Sequence, residues 1–292
     1  MYELIQTGEK SWYIDCPAKI GVYQPDASRV YLIDSGNDKD AGRKVRQILE
    51  KQGWTLAGIL NTHSNADHIG GNRYLQGQTG CKVFSGGIEA AFTKYPILEP
   101  SFLYGGYPCK DLRHKFLLAQ DSEVTDFSDP SFPREVEVIP LPGHFFDMVG
   151  YRTPDGTVFL ADCLASRETL EKYAVPFIYN VQAYLDTLDQ VASMTAPMFV
   201  PAHAPAAENV AELCAFNWEK VLEVAETVLD VCKTPMNFER VLQSVFRRYD
   251  LTMTFEQYVL VGSTVRSFLS WLKDTGRMEA AVEDHLLLWH TV

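Results

Sequence analysis

The chain has no C-x-x-C pair, no long uncharged apolar run, no basic excess and no low-complexity linker, and each absence removes a class of protein. Its six cysteines (Cys16, Cys81, Cys109, Cys163, Cys214 and Cys232) are scattered, which argues against a paired redox centre or a thiolate zinc and leaves them as reduced packing residues. Cys163 directly follows Asp162, but neighbours along a strand point to opposite sides, so it is not counted as a ligand. No stretch is long and apolar enough to span a bilayer, and the opening segment MYELIQTGEKSWYIDC lacks the basic start and apolar run of an export signal. A cytoplasmic protein is expected. Lys and Arg number 26 against 38 Asp and Glu, and a net charge of −12 repels polyanions, so neither nucleic acid nor membrane is expected as a partner. A G-x-S-x-G elbow is also missing, which removes the usual serine nucleophile.

What is present is apolar bulk and a clear order of elements. The 292 residues, 46% hydrophobic and 12% aromatic, suffice for one large domain or two, and two are expected, 1–206 and 207–292. In the opening part TGEKSWYIDC, KIGVYQ and SRVYLIDSG alternate with period two and read as strands. DKDAGRKVRQILEKQGW has helical spacing and stops at Gly53, after which LAGILNT is a short buried strand running into His63. Alternation continues with a strand at 81–84, a helix near 86–95 and strands at EVEVIPL and TVFLAD, the pattern of a layered α/β domain. Beyond His203 the texture changes. Cys214, Trp218, Val221, Ala225, Val228 and Cys232 step by four and three, which predicts one long amphipathic helix over 207–232. Two more helical patterns, FERVLQSVFRRY and FEQYVLVGSTVRSFLSWLKDTG, precede two strands turning at Glu283-Asp284, so this part resembles a winged helix.

The chemistry concentrates in LNTHSNADHIGGN. A strand ending at Thr62 and an extended loop send His63, Asn65 and Asp67 to one side, with His68 at the turn into the next helix. Three further donors follow apolar β segments: His144 in IPLPGHFFD, Asp162 in VFLADCL and His203 in FVPAHAP. Strand ends lie together in a layered α/β domain, so all seven donors are expected at one edge of the fold, where a cation takes four or more ligands at about 2 Å. The lone His114, His285 and His290 read as packing or surface residues.

The ordered set H-x-N-x-D-H, G-H, A-D-C and P-x-H resembles the metallo-β-lactamase superfamily, whose usual motif is H-x-H-x-D-H followed by His, Asp and His; the resemblance covers about residues 1–206. It implies a four-layer αβ/βα sandwich, here carrying a smaller helical, winged-helix-like C-terminal domain. It also implies two divalent metal ions, the first held by His63, Asn65 and His144 and the second by Asp67, His68 and His203, with Asp162 bridging. Zinc is the first expectation. Asn65, standing where relatives carry His, offers a neutral oxygen that should hold zinc less firmly and tolerate Fe or Mn. The implied activity is a metal-dependent hydrolase using a metal-bound hydroxide on a small ester, thioester, lactone or phosphoester, with Asp67 orienting the water or receiving its proton. The alternatives are a non-haem iron or manganese oxidoreductase on the same fold, disfavoured because no flavin-binding domain follows, and a noncatalytic metal-binding protein.

Within that resemblance several substrates are disfavoured: β-lactams because no export signal is seen, nucleic acids by charge, and the glyoxalase II substrate because CLASRETLEKY lacks the glycine and arginine pattern expected after Asp162. Tyr104 and Tyr107, beside Gly105-Gly106 and with Phe102 and Lys110 or Arg113 nearby, could close over a small-molecule substrate, or the loop could be ordinary surface. Arg247 and Arg248 sit among acidic residues, so the C-terminal part is expected to shape the pocket wall or a homodimer interface and not to bind DNA.

Overall fold

In the computed structural model, which describes residues 2–292, the chain opens with β1 (Glu3–Gln6), β2 (Ser11–Asp15), β3 (Ile20–Tyr23) and β4 (Arg29–Ile33), an antiparallel meander. Then come α1 (Lys39–Gln52), β5 (Thr55–Leu60), α2 (Ala66–Ile69), α3 (Asn72–Thr79), β6 (Lys82–Phe84), α4 (Gly87–Lys94), α5 (Leu98–Tyr104) and β7 (Val124–Thr125). β4 to β7 pair in parallel, and the seven strands lie in sequence order in one sheet. α1 follows from its residues: the Asp38 carboxylate accepts from the Ala41 amide at 2.8 Å, Ala41, Val45 and Leu49 face inward, and Gly53 closes the helix at φ 73°.

The second sheet uses β8 (Glu137–Pro140), β9 (Val149–Arg152), β10 (Val158–Ala165) and, after α6 (Arg167–Tyr173) and α7 (Val181–Ser193), β11 (Phe199–His203), in the order β11-β10-β9-β8. The chain ends with α8 (Ala211–Val231), β12 (Met236–Asn237), α9 (Phe238–Arg248), α10 (Phe255–Asp274), β13 (Met278–Glu283) and β14 (Leu286–Thr291). The last three strands form a small sheet in the order β12-β14-β13, and Asp284 and His285, both at positive φ, make the tight turn read at Glu283-Asp284.

Three apolar layers bind these pieces into a four-layer sandwich. Val45 and Leu49 of α1 and Leu75 of α3 pack on Val22, Leu32 and Ile59 of the first sheet. Tyr23, Ile33, Leu60 and Phe84 meet Tyr151, Phe159 and Val200 between the sheets. The third layer joins Leu160 and Cys163 of β10 to α7, α8 and α10 through Tyr184, Leu188, Val221, Val265 and Phe268. Cys163 thus points away from the side on which Asp162 stands. Most of the apolar stripe of α8 is covered by the chain's own helices and sheet, and Trp218 is exposed. The boundary near residue 206 falls inside this continuous layer. Calorimetry of the metal-free protein should accordingly give one endotherm, and Phe268→Ala, at a fully buried site, should destabilise the whole chain by about 3–5 kcal/mol. Two separated transitions, only one of them moved by Phe268→Ala, would contradict a shared core.

Candidate metal centre

The seven donors read from the sequence meet between the C-terminal ends of β5, β10 and β11. His63 lies just beyond β5; Asp67 and His68 stand in the first turn of α2; His144 follows β8; His203 is the last residue of β11. Asp162 differs from expectation. It sits inside β10, where Ala161 takes a left-handed φ of 51° and the register with β11 breaks on either side of it. That bulge, an unusual conformation for alanine, redirects the strand at the metal donors. Gly143 (φ 120°) brings His144 in so close that a Cβ there would collide with the backbone of Tyr184.

Each histidine is tied at Nδ1. His144 Nδ1 donates to the Phe177 carbonyl and His203 Nδ1 to the Pro17 carbonyl, both at 3.0 Å, and His68 Nδ1 donates to Asp34 Oδ2 at 2.8 Å. Thr62 spends its hydroxyl proton on Asp34 Oδ2 at 2.7 Å and accepts from His63 Nδ1 at 3.0 Å. Carbonyls and carboxylates only accept, so the proton sits on Nδ1 and the Nε2 atoms are the ones offered to a metal.

The offered atoms converge as two sets, His63, His144 and Asp162 in one and Asp67, His68 and His203 in the other, each with its donor atoms within 4.8 Å of one another. Asp162 links them: Oδ1 lies 3.1 Å from His68 Nε2, and Oδ2 lies 3.2 Å from His203 Nε2 and 3.6 Å from His144 Nε2. Asp67 Oδ2, more exposed, is 3.3 Å from His203 Nε2. His63 Nε2 is buried without a hydrogen-bond partner among the described residues, and the buried His68 Nε2 and Asp162 Oδ1 face each other without a well-formed hydrogen bond. An unpaired buried polar atom costs about 1–3 kcal/mol, and such poorly satisfied imidazole and carboxylate atoms in one small space fit bound divalent cations.

Asn65 caps α2 by backbone only and makes no side-chain capping bond. Its Nδ2 donates instead to Glu99 Oε1 on α5 at 2.8 Å, which turns Oδ1 to within 3.2 Å of His144 Nε2. Glu99 is 4% exposed, and burial pushes its carboxyl well above the ordinary range. Nearby, burial raises Glu89 to about 7 while it accepts from the Ser64 and Asp147 amides, pinning the ligand loop. Asp34, Glu89 and Glu99 escaped the sequence reading. Asp34 closes an apolar strand just as the ligands do, but Glu99 carries no local signal. Tyr104, 43% exposed, packs edge-on against Phe255, and Tyr107, 73% exposed, accepts from Arg113. Neither lines the cavity that contains His144, Asp162 and His203.

Without a metal the cluster holds protons. Burial lowers His63 and His144, whereas at His68 and His203 the opposing burial is overcome by Asp162 and Asp67, lifting His203 to about 10. Because the folded value exceeds the usual 6.5, the stability from that proton is complete below the unfolded value and lost as pH rises through about 10. Denaturant midpoints of metal-free protein should fall across that window, and metal uptake at neutral pH should release protons, seen as a buffer-dependent binding enthalpy. A buffer-independent enthalpy would contradict this. Glu99→Ala should weaken the site containing Asn65 about 10–100-fold and spare the other, since a lost orienting partner typically costs that much. Equal loss at both sites, or none, would show that Glu99 does not orient the amide.

Comparison with known proteins agrees with this geometry. Among curated proteins, a hydroxyacylglutathione hydrolase of Maricaulis maris (strain MCS10) is 27% identical over 144 residues, 49% of this chain and 46% of that protein. One of Hyphomonas neptunium (strain ATCC 15444) is 38% identical over 69 residues, 24% of this chain and 25% of that one. The chain thus spans half or less of the length of the curated relatives it matches. A solved metallo-beta-lactamase family protein from Thermus thermophilus superposes with TM-score 0.74 at 15% identity, covering 97% of this chain and 99% of that one. That coverage takes in the C-terminal helices. The family profile described as the Metallo-beta-lactamase superfamily runs from residue 14 to residue 203, more than half of the chain and through every donor named above, and the chain belongs to that superfamily.

Proposed function

We propose that this protein is a cytoplasmic metal-dependent hydrolase of a small ester, thioester, lactone or phosphoester. The observation that carries the reading is the pair of converging donor sets, in which His63 Nε2 is buried with no protein partner and the other inward Nε2 and carboxylate atoms face only one another and Asn65. His63, Asn65 and His144 would hold one cation, Asp67, His68 and His203 the other, with Asp162 between them; zinc suits both sets, the first less tightly. Bound cations lower the pKa of water toward neutrality and polarise the oxygen of the bond under attack. The chain's own groups supply the rest. Asp34, Phe177 and Pro17 keep the imidazoles oriented. Asp67, the more exposed carboxylate, orients the attacking water and takes its proton at an oxygen.

Hydroxyacylglutathione hydrolases are relatives in sequence, yet CLASRETLEKY after Asp162 speaks against a shared substrate. The C-terminal segment is read as a winged-helix-like unit that walls the pocket. Arg248 pairs with Asp230 at 3.5 Å, and the acidic surroundings do not suit DNA. The Asn65 oxygen, turned inward, would also accept iron or manganese, the observation that keeps an oxidoreductase in view. Asp67→Ala and His68→Ala should abolish metal binding and turnover together while circular dichroism is unchanged. Full turnover by metal-free Asp67→Ala protein would refute the hydrolytic reading, and substrate oxidation by an iron-loaded form would replace it.

A further inference from the structure

A cavity of about 210 Å³ opens directly on His144, Asp162 and His203. Its other walls are mainly apolar, with Leu164 of β10, Val175 and Phe177 of the loop after α6 and Leu260 and Val261 of α10, and Gln257 and Tyr173 add polar groups. Among the described residues no Lys or Arg lines it. Its two threonine hydroxyls are engaged elsewhere. Thr264 Oγ1 accepts from the Ile178 amide at 3.2 Å, and Thr169 Oγ1 pairs with Ser166 at 2.9 Å. A carboxylate placed deep against the apolar residues would lose its hydration with no Lys or Arg to replace it. A second, larger cavity of about 920 Å³ meets the first at His203, Thr169 and Tyr173 and carries Lys19, Arg167, Asp15 and Glu168 on its walls.

Building on the hydrolytic reading, we infer that the smaller cavity is an acyl pocket: the substrate is an ester or thioester with an uncharged apolar acyl group, its polar leaving group lying in the larger cavity. A cavity of roughly 150 Å³ accommodates benzene, so this one takes an acyl chain of about six to eight carbons. In the reaction the water oxygen bonds to the acyl carbon and the C–O or C–S bond breaks, its electron pair staying on the leaving oxygen or sulfur. One water proton goes to that leaving group and the other to solvent, leaving a carboxylate. α10 closes the pocket, so chain-length preference belongs to the C-terminal segment.

The test uses full-length, zinc-loaded protein, a series of p-nitrophenyl esters from acetate to dodecanoate, and n-hexanol binding followed by methyl NMR of valines and leucines. Burial of each methylene should raise kcat/KM about fourfold until the pocket fills near six to eight carbons. Leu260→Phe should move the optimum to shorter chains and lower the hexanoate-to-acetate ratio at least tenfold, and Val175→Phe should do the same should the first variant misfold. Hexanol should shift the methyls of Val175, Leu260 and Val261. Turnover indifferent to chain length, or hexanol that leaves those methyls unmoved, overturns the acyl pocket and leaves the hydrolytic reading standing. Hexanol bound at those methyls without turnover of the esters, or of the matching thioesters, lactones and phosphoesters, supports the pocket and sinks the hydrolytic reading.

Discussion

Asp34 is the constraint on which the centre depends. Held in a left-handed turn at φ 64° and almost fully buried, it accepts from the Thr62 amide, the Thr62 hydroxyl and His68 Nδ1. One carboxylate thereby sets the tautomer of His68 directly and of His63 through Thr62, and it anchors the loop that follows β5. The burial that makes these bonds strong also makes a missing partner costly, so the side chains can satisfy the inward atoms only with protons or cations. The centre is rigid because its alternatives are expensive.

The two histidines nearest the carboxylates carry charge that burial alone would deny them. Asp67 and Asp162 confer that charge, and the same carboxylates would neutralise bound cations. Around this pair of carboxylates the fold arranges unlike surroundings: polar and acidic support behind the ligand loop, an apolar wall of β10 and α10 in front. α10 reaches the centre twice, once at the cavity wall and once through Thr264 and Ser267, which bond the Ile178 amide and the Tyr179 carbonyl beside Phe177, the residue that holds His144.

Much of this was legible in the sequence. The convergence of His63, Asn65, Asp67, His68, His144, Asp162 and His203 was legible because metal-ligating residue types placed after apolar strands leave a local trace, and α1 because its cap and stop are written next to its stripe. Glu99 was not, since its tie to Asn65 joins α5 to the ligand loop across 34 positions and nothing around it marks a buried acid. Asp162 was expected at a strand end because alternation does not encode the bulge at Ala161. Tyr104 and Tyr107 stood beside two glycines in the chain, but which aromatics line a cavity is decided by packing, and Phe177 with residues of α10 occupies that place. The change of texture after His203 is real in sequence, whereas the apolar layer it borders is shared, because α8 both closes the sandwich and begins the last segment.

Anomalous diffraction at the zinc edge from crystals of zinc-loaded protein tests the central claim most directly. Two peaks are expected, one among His63, Asn65, His144 and Asp162 and a fuller one among Asp67, His68, His203 and Asp162. Zinc bound only away from these side chains, or Nε2 atoms turned from it with Nδ1 released from Asp34, Phe177 and Pro17, would contradict it.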